Sequence, residues 1–183
     1  RTEERVSPEG VTFVREYAQG LLAEAKTLDT SDQVITQTTY LYDAHKRLQS
    51  ETLVGIGATS YTYAADDQVA SVTSRDPDTG ESGEGFDPQL TQYEYDDRGR
   101  LATVTHPDQA ETHTSYYPTG KIKRTWGART YPVEYVYDPQ LRVTSMKTWK
   151  DFDAETGAAI TEWEYDPQRG WLSAKNYADD NGP

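Results

Sequence analysis

An acidic stretch, DPDTGESGEGFD at residues 76–87, contains the side chains whose types best suit metal binding. Calcium prefers several carboxylate and carbonyl oxygens on a flexible loop, and Asp76, Asp78, Glu81 and Asp87 supply carboxylates here. The spacing departs from an EF-hand loop, because Glu81 stands where that loop requires glycine. The sequence therefore favours a solvated acidic loop and leaves a weak cation site at these residues as the alternative.

Other patterns that could support catalysis are incomplete. Residues 78–80 read Asp-Thr-Gly, but aspartic-protease chemistry needs two Asp that share a proton, and the similar tripeptide elsewhere begins with Glu155. The histidines, His45, His106 and His113, are scattered along the chain. The sequence shows no Ser or Cys nucleophile motif and no phosphate-binding glycine loop. These observations predict a chain that is not an enzyme and that binds no cofactor.

Composition narrows the classes of partner. The formal net charge of -13 repels phosphate backbones, so we predict no binding to nucleic acid. The chain has no Cys, which excludes disulfides and thiolate metal sites. No apolar run approaches the roughly 18 residues of a membrane span, so we predict no membrane insertion. Aromatic residues make up 11% of the chain, which argues against disorder.

The tyrosines recur in an order that the chain repeats. In the segment TQYEYDDRGRLATVTHPD, residues 91–108, two tyrosines two positions apart are followed by Asp, Gly, Leu and Val. Similar orders, some of them weaker, occur along the chain at spacings of 20 to 32 residues. The anchor tyrosines of these units are Tyr17, Tyr42, Tyr63, Tyr95, Tyr117, Tyr137 and Tyr165.

Each unit has the pattern of a β-hairpin. Residues two apart in a strand share a face, so the paired tyrosines of a unit would lie on one side of a sheet. Asp can start a tight turn, and glycine supplies the left-handed residue that closes it. The predicted turn glycines are Gly20, Gly99, Gly120 and Gly170. Lys46, Asp67 and Leu141 stand where Gly99 stands, and because Pro139 precedes Leu141 we predict a different turn type there.

Two local features leave alternatives open. Val69 and Val72 are three positions apart, as are Leu101 and Val104, so either both faces of these strands are partly covered or a bulge separates each pair. Residues 17–28, YAQGLLAEAKTL, contain good helix formers, but their register matches the repeat. We predict strand rather than helix for residues 17–28.

The units together predict an all-β fold. A hairpin alone is marginal in water, so about seven hairpins must pack side by side. Open sheets of more than about ten strands curl or split, which favours one curved, coiled antiparallel sheet. We expect residues 1–183 to form a single repeat array, a fragment of a longer chain, whose unpaired edge strands favour self-association.

The segment at residues 93–105 resembles the tyrosine–aspartate (YD) repeat of the Rhs, Tc-toxin C-component and teneurin families. The pattern is Tyr-x-Tyr-Asp, a short linker, Gly-Arg-Leu, two residues, then Val-Thr, and this segment matches it throughout. The resemblance implies a segment of a hollow β-shell that is secreted or displayed at a cell surface. The neighbouring repeats of the parent chain, and in bacterial members an enclosed C-terminal toxin domain, would be its partners.

The resemblance does not extend to self-cleavage. Bacterial members carry Asp-Pro-x-Gly motifs in the region that closes the shell and cleaves itself. Here the Asp-Pro pairs at Asp87, Asp138 and Asp166 lack the glycine. The first hypothesis is therefore a structural shell segment that encapsulates or displays a toxin or effector domain. The alternative is an extracellular adhesive module that binds glycan or a cell-surface protein through aromatic residues, for which the candidates are Trp126, Trp149, Trp163 and Trp171.

Overall fold

The structure, a computed structural model, describes residues 1–75 and 88–177. These residues form strands and turns without a helix, so the predicted all-β class of tandem antiparallel hairpins is confirmed, and residues 17–28 form the end of one strand, a two-residue turn and the next strand rather than a helix. The strands are β1 Thr2–Val6, β2 Thr12–Ala18, β3 Leu21–Leu28, β4 Val34–Tyr42, β5 Leu48–Leu53, β6 Gly57–Tyr63, β7 Val69–Ser74, β8 Gln89–Tyr95, β9 Leu101–Thr105, β10 Glu111–Tyr116, β11 Ile122–Gly127, β12 Val133–Tyr137, β13 Val143–Asp151, β14 Thr156–Tyr165 and β15 Leu172–Tyr177.

The strands follow one another in the sheet in the order of the chain, from β1 to β15. By compactness the chain forms two units, Arg1–Gln92 and Tyr93–Pro183, and each is an antiparallel meander. In a meander, turns after even-numbered strands lie at one edge and turns after odd-numbered strands at the other. We name the first group the YD turns, because they follow the anchor tyrosines, and the second group the return turns.

In most hairpins the second strand begins with a β-bulge, directly after the YD turn. Tyr63 pairs with Val69, whereas the preceding residue Thr62 pairs with Ser71, so Ala70 is the extra residue. The shift brings Val72 opposite Tyr61, and both valines therefore share the tyrosine face. The same shift separates Val143 from Met146. The bulge alternative therefore explains the three-residue spacing of Val69 and Val72 and of Val143 and Met146.

The sheet has almost no conventional core. Among the described residues, only Trp149, at 3% exposure, and Thr12, at 8%, are buried. Most other strand residues are half-buried, as expected for one layer of sheet whose stability comes from cross-strand pairs. No helix in the described ranges is long and apolar enough to span a membrane.

Candidate functional site

The most repeated local structure is a five-residue turn. In the turn at residues 96–100, Asp96 N–H donates to the Arg100 carbonyl at 2.8 Å, and Gly99 N–H donates to the Asp96 carbonyl at 2.8 Å. Gly99 has φ 72°, the left-handed conformation that closes a type I turn with a bulge. The same two hydrogen bonds form at residues 7–11, 29–33, 43–47, 64–68, 106–110, 117–121 and 138–142.

The turn accepts residues other than glycine at its left-handed position. Lys46, Asp67 and Leu141 have φ 65°, 67° and 63°. The different turn predicted at Leu141 is wrong, because Leu141 N–H donates to the Asp138 carbonyl as Gly99 does to Asp96. Pro139 fits this turn, since its fixed φ suits the second position of a type I turn. Leu141 therefore adopts a strained backbone conformation that costs about 1–2 kcal/mol.

An Asp at the first position caps three of the five-residue YD turns in one way, and Asp166 caps the longer turn by accepting from the N–H groups of Gln168 and Arg169. Asp96 Oδ1 accepts from the backbone N–H groups of Arg98 and Arg100 at 2.9 and 3.0 Å. Asp43 and Asp138 accept from the equivalent N–H groups of their own turns. The first residue of the turn therefore fixes the backbone with its side chain as well as with its own peptide group.

An Arg at the fifth position of the same turns pairs with that Asp. Arg100 Nε lies 2.7 Å from Asp96 Oδ2, and its Nη2 lies 2.6 Å from the same oxygen. Arg47 binds Asp43 and Arg142 binds Asp138 in the same way. These charges are partly shielded from solvent, with 13–32% side-chain exposure, so the pairs are better placed than ordinary surface ion pairs.

The ion pairs change the acidity of the capping carboxyls. The side-chain hydrogen bond from Arg100, helped by backbone N–H groups, lowers the pKa of Asp96 to about 2. Partial burial would raise the pKa of Asp43 and Asp138, but hydrogen bonds from Arg47 and Arg142 outweigh it and lower the pKa of both. The three carboxylates are therefore ionised at neutral pH, as the turn requires.

The same arginines reach the next hairpin. The Arg47, Arg100 and Arg142 guanidinium carbons lie 4.4, 4.5 and 4.2 Å from the ring centroids of Tyr63, Tyr116 and Tyr165, respectively. The third nitrogen of each guanidinium bonds the following YD turn, at Asp67 Oδ1 or at the carbonyls of Tyr117 and Gly170. We call this arrangement of Asp, Arg and the next hairpin's Tyr the clamp.

The clamp tyrosine also bonds backward across the sheet. Tyr63 Oη donates to the Leu48 carbonyl at 2.7 Å. Leu48 is the first residue of the preceding hairpin's second strand. Equivalent bonds join Tyr42 to Leu22, Tyr116 to Leu101 and Tyr165 to Val143, at 2.8 to 2.9 Å. Tyr63, Tyr116 and Tyr165 therefore tie their strands to the previous hairpin through both ring and hydroxyl, and Tyr42 does so through its hydroxyl.

The structure places most anchor tyrosines at the last position of a strand. Tyr42, Tyr63, Tyr95, Tyr137 and Tyr165 end β4, β6, β8, β12 and β14, and Tyr17 is the penultimate residue of β2. Tyr117 differs, because Tyr116 ends β10 and makes the clamp contacts. Tyr117 takes the first turn position, where Asp stands in the turns that form a clamp, and its hydroxyl donates to the Tyr135 carbonyl.

The predicted turn glycines all have left-handed φ but belong to three turn lengths. Gly99 and Gly120 occupy the five-residue turn. Gly20 follows Gln19 in a two-residue connection in which both residues have positive φ, typical of a type I′ turn. Gly170 lies in a turn that is one residue longer, closed by Asp166 N–H and the Trp171 carbonyl. Trp171 consequently follows Gly170 at the position that Arg100 takes after Gly99.

The acidic candidates at Asp76, Asp78, Glu81 and Asp87 lie outside the described residues. Within residues 1–75 and 88–177, no group of three or more His, Asp or Glu is arranged to hold a metal ion. A groove of about 880 Å³ lies over β1–β4, and its lining includes Glu3, Glu4, Arg5, Phe13, Arg15 and Lys26.

Aromatic side chains cluster on strands β10–β14 in the second unit. His113 stacks on Trp126 at 5.2 Å between centroids, and Phe152 packs edge-on to Trp149 at 5.2 Å. Arg124 lies over the Trp149 ring at 5.3 Å. Phe152 comes from the return turn after β13, so that turn covers Trp149. The buried Trp149 ring therefore cannot stack on a sugar.

Neither a family model nor a curated protein matches this chain. Solved structures do match it, among them the TcdB2-TccC3-Cdc42 crystal structure, with a TM-score of 0.69 and 15% identity. A TcdB2-TccC3-TEV structure has a TM-score of 0.54 and 17% identity, and TcdB2-TccC3 without its hypervariable C-terminal region has 0.55 and 16%. Each match covers 95% of this chain but only 9–11% of the other. This chain therefore shares the fold of a short strip of those larger proteins.

The clamp arginines belong to the sequence repeat, but the repeat does not by itself predict the clamp. Arg47 and Arg100 directly precede Leu48 and Leu101, and nothing in that local pattern indicates their ion pairs. The usable signal is an Asp directly after the strand-end tyrosine and an Arg four positions later. The spacing of 16 residues between Arg47 and Tyr63, repeated between Arg100 and Tyr116, marks the contact with the next hairpin.

Proposed function

We propose that this chain is a structural segment of an Rhs-like shell, one YD-repeat array over residues 1–183, that encapsulates or displays a C-terminal toxin or effector domain. The observation that carries the proposal is the clamp. Each clamp joins one hairpin to the next, as at Arg100 and Tyr116, so the hairpins form a continuous wall rather than separate binding modules. The shared fold with TcdB2–TccC3 proteins supports this role.

In this proposal the segment itself does no chemistry. Its charged side chains, such as Asp96 and Arg100, are engaged in holding turns rather than arranged around a reactive centre. Its partners are the neighbouring repeats of the parent chain and an enclosed toxin domain, and it needs no cofactor. A shell of this kind acts outside the producing cell, so we place the protein among secreted or cell-surface proteins.

A chimera tests the proposal directly. Residues 1–177 replace the matched strip of the TcdB2–TccC3 protein, and protease digestion then measures how well the C-terminal region is protected. We expect the chimera to shield that region as the unmodified protein does. In a matched chimera the clamp arginines Arg47, Arg100 and Arg142 are changed to Ala, and the protease should then digest the C-terminal region faster. A folded chimera whose C-terminal region is cut as fast as that of a shell with a deleted strip would overturn the proposal.

A second function, adhesion through aromatic residues, is favoured by one exposed side chain. Trp171 is 67% exposed and carries the Arg169 guanidinium 5.2 Å from its ring centroid, an arrangement open to a flat ligand. A glycan array probed with the chain and with Trp171→Ala tests this alternative. Binding that disappears in the variant would support adhesion, and a blank array would leave the shell segment.

A further inference from the structure

Trp149 is the least exposed of the described residues, and its indole N–H lacks a conventional acceptor. The residue is 3% exposed, and within residues 1–75 and 88–177 no nitrogen or oxygen atom accepts a hydrogen bond from its buried Nε1. Buried polar groups in proteins almost always have a hydrogen-bond partner. The burial of this N–H therefore indicates an acceptor of another kind.

Phe152 places an aromatic ring beside that indole. The two ring centroids are 5.2 Å apart and the ring planes differ by 75°, so the edge of one ring points towards the face of the other. In such a pair an indole N–H, which lies at the ring edge, can donate to the face of the second ring. The residue opposite Trp149 on β14 is Ala158, whose methyl group covers little of the indole. The Phe152 ring is therefore the acceptor that the geometry favours.

The turn that carries Phe152 is held on the sheet by Arg124. The Arg124 guanidinium carbon lies 5.5 Å from the Phe152 ring centroid and 5.3 Å from that of Trp149. Its Nε donates to Glu134 at 2.7 Å, which fixes the guanidinium on the sheet. Its Nη1 lies 4.0 Å from Glu155 Oε1 at the other end of the turn, and the Glu155 side chain is 68% exposed. An exposed pair at this distance is weak, so the aromatic contacts hold the turn more firmly than the ion pair does.

We propose that residues 152–155 are a strap that closes over Trp149, with the face of the Phe152 ring as the acceptor of the indole N–H. The strap opens while the strands beneath it stay paired. Glu155 N–H closes the strap on the Phe152 carbonyl at 3.1 Å, and Glu155 has φ 52°, a left-handed conformation that is strained for a residue other than glycine. β13 and β14, by contrast, are joined by an antiparallel ladder that runs from Ser145 to Asp151. A strained turn with few contacts opens at a lower free energy than such a ladder.

Opening changes what this part of the surface presents. A closed strap seals the Trp149 ring beneath Phe152. An open strap exposes that ring and its N–H beside Arg124 and Glu134, which remain on the sheet. The strap therefore decides whether this face is a sealed wall or an aromatic surface that a flat ligand reaches. This gating role does not depend on the shell function.

Hydrogen exchange of the Trp149 indole N–H, followed by NMR on the full chain, tests the strap. The chain has 4 Trp, and Trp149→Phe identifies the resonance. Phe152→Leu, whose fold is checked by its melting curve, keeps an apolar side chain but removes the aromatic face. We expect it to speed exchange about tenfold, equivalent to ~1.4 kcal/mol, and to abolish the upfield shift that a phenyl face imposes on the proton. The matched control Phe13→Leu, at a residue that is 46% exposed on β2, should change neither quantity.

Urea separates opening of the strap from unfolding of the sheet in the original chain. We expect the exchange rate to stay constant at low urea concentrations, because opening of the strap exposes little surface, whereas exchange through global unfolding accelerates with urea. Exchange that follows the global urea dependence from the lowest concentrations would exclude independent opening. A proton shift and exchange rate in folded Phe152→Leu equal to those of the original chain would exclude the Phe152 ring as the acceptor.

Discussion

The turns at residues 96–100 and 106–110 lie at the two ends of β9 and have the same backbone. Their closing hydrogen bonds measure 2.8 to 2.9 Å, and Gly99 and Gln109 have φ 72° and 64°. Their side chains differ. Asp96 of the YD turn binds Arg100, which packs on Tyr116 of β10, whereas the return turn has Ala110 in the place of that arginine and the side chain of its His106 contacts Thr112 of β10, at 3.2 Å.

The comparison separates two tasks that one turn geometry performs. The return turn at 106–110 reverses the chain without an Asp–Arg pair between its first and fifth residues, although Ala110 N–H also donates to Asp108 Oδ1 at 3.1 Å. The clamp of a YD turn adds contacts from one hairpin to the next. Return turns vary in length, as YD turns do, and the connection at residues 152–155 places Phe152 over Trp149.

We expect the largest loss of stability when a glycine beside a return turn is replaced. A Cβ at Gly127 would lie 2.2 Å from the Glu111 carbonyl oxygen, so Gly127→Ala must shift backbone and should destabilise by about 3 kcal/mol. At Gly120, in a YD turn, a Cβ would meet nothing within 4 Å, so Gly120→Ala should cost only the left-handed strain of about 1 kcal/mol. Urea unfolding measures both, and equal losses would contradict the assignment of close backbone packing at Gly127.

Removal of a clamp tyrosine should have the next largest effect. Tyr116 is half-buried, lies against Arg100 and bonds the Leu101 carbonyl, so Tyr116→Ala should destabilise by about 2–3 kcal/mol. Tyr131, in a return turn, is 64% exposed, and Tyr131→Ala should cost about 1 kcal/mol or less. Chemical denaturation of the two variants side by side decides the matter. A larger loss at Tyr131 would show that the clamp does not dominate.

Exchange of Arg for Lys separates clamp arginines from ordinary surface arginines. Arg142→Lys keeps the charge but loses the forked hydrogen bonds to Asp138 and the stacking on Tyr165, so stability should fall by about 1 kcal/mol. Arg129 pairs with Asp108 from a return turn, and both side chains are about half exposed. Arg129→Lys should therefore be nearly neutral. Equal melting shifts for both variants would remove the distinction between the two pairs.

Relief of left-handed strain should stabilise both kinds of turn alike. Leu141 in a YD turn and Gln109 in a return turn have φ 63° and 64°. Leu141→Gly and Gln109→Gly remove strain of about 1–2 kcal/mol, offset by about 0.5–1 kcal/mol of chain entropy, for a net gain near 0.5 kcal/mol. Thermal melting of each variant measures the gain. A gain at one position only would mean that the two backbones are not equivalent.

The hairpins could be predicted from sequence because tyrosine alternation, turn residues and apolar return strands all point to the same local structure. The register at Tyr116 and Tyr117 could not, because two adjacent tyrosines offer two alignments until the left-handed residue Gly120 fixes the turn. The clamp escaped prediction for another reason. Its Arg and Tyr belong to different hairpins, and a contact between hairpins depends on sheet order, which a local pattern does not specify.

Acidification should distinguish the YD turn from the return turn, with the smallest change in stability of these predictions. The pKa of Asp96 is lowered to about 2, so its ionised form stabilises the folded chain. That contribution is fully present above the ordinary Asp pKa of 3.8 and is lost as the pH falls from there towards 2. We therefore expect the melting temperature of Asp96→Asn to lie below that of the original chain at pH 5 and to approach it between pH 4 and 2. His106→Asn, the matched change in the return turn, should show no such convergence in this acid range, because it removes no carboxylate from the turn. A gap for Asp96→Asn that stays constant down to pH 2 would mean that the carboxylate charge does not hold the YD turn.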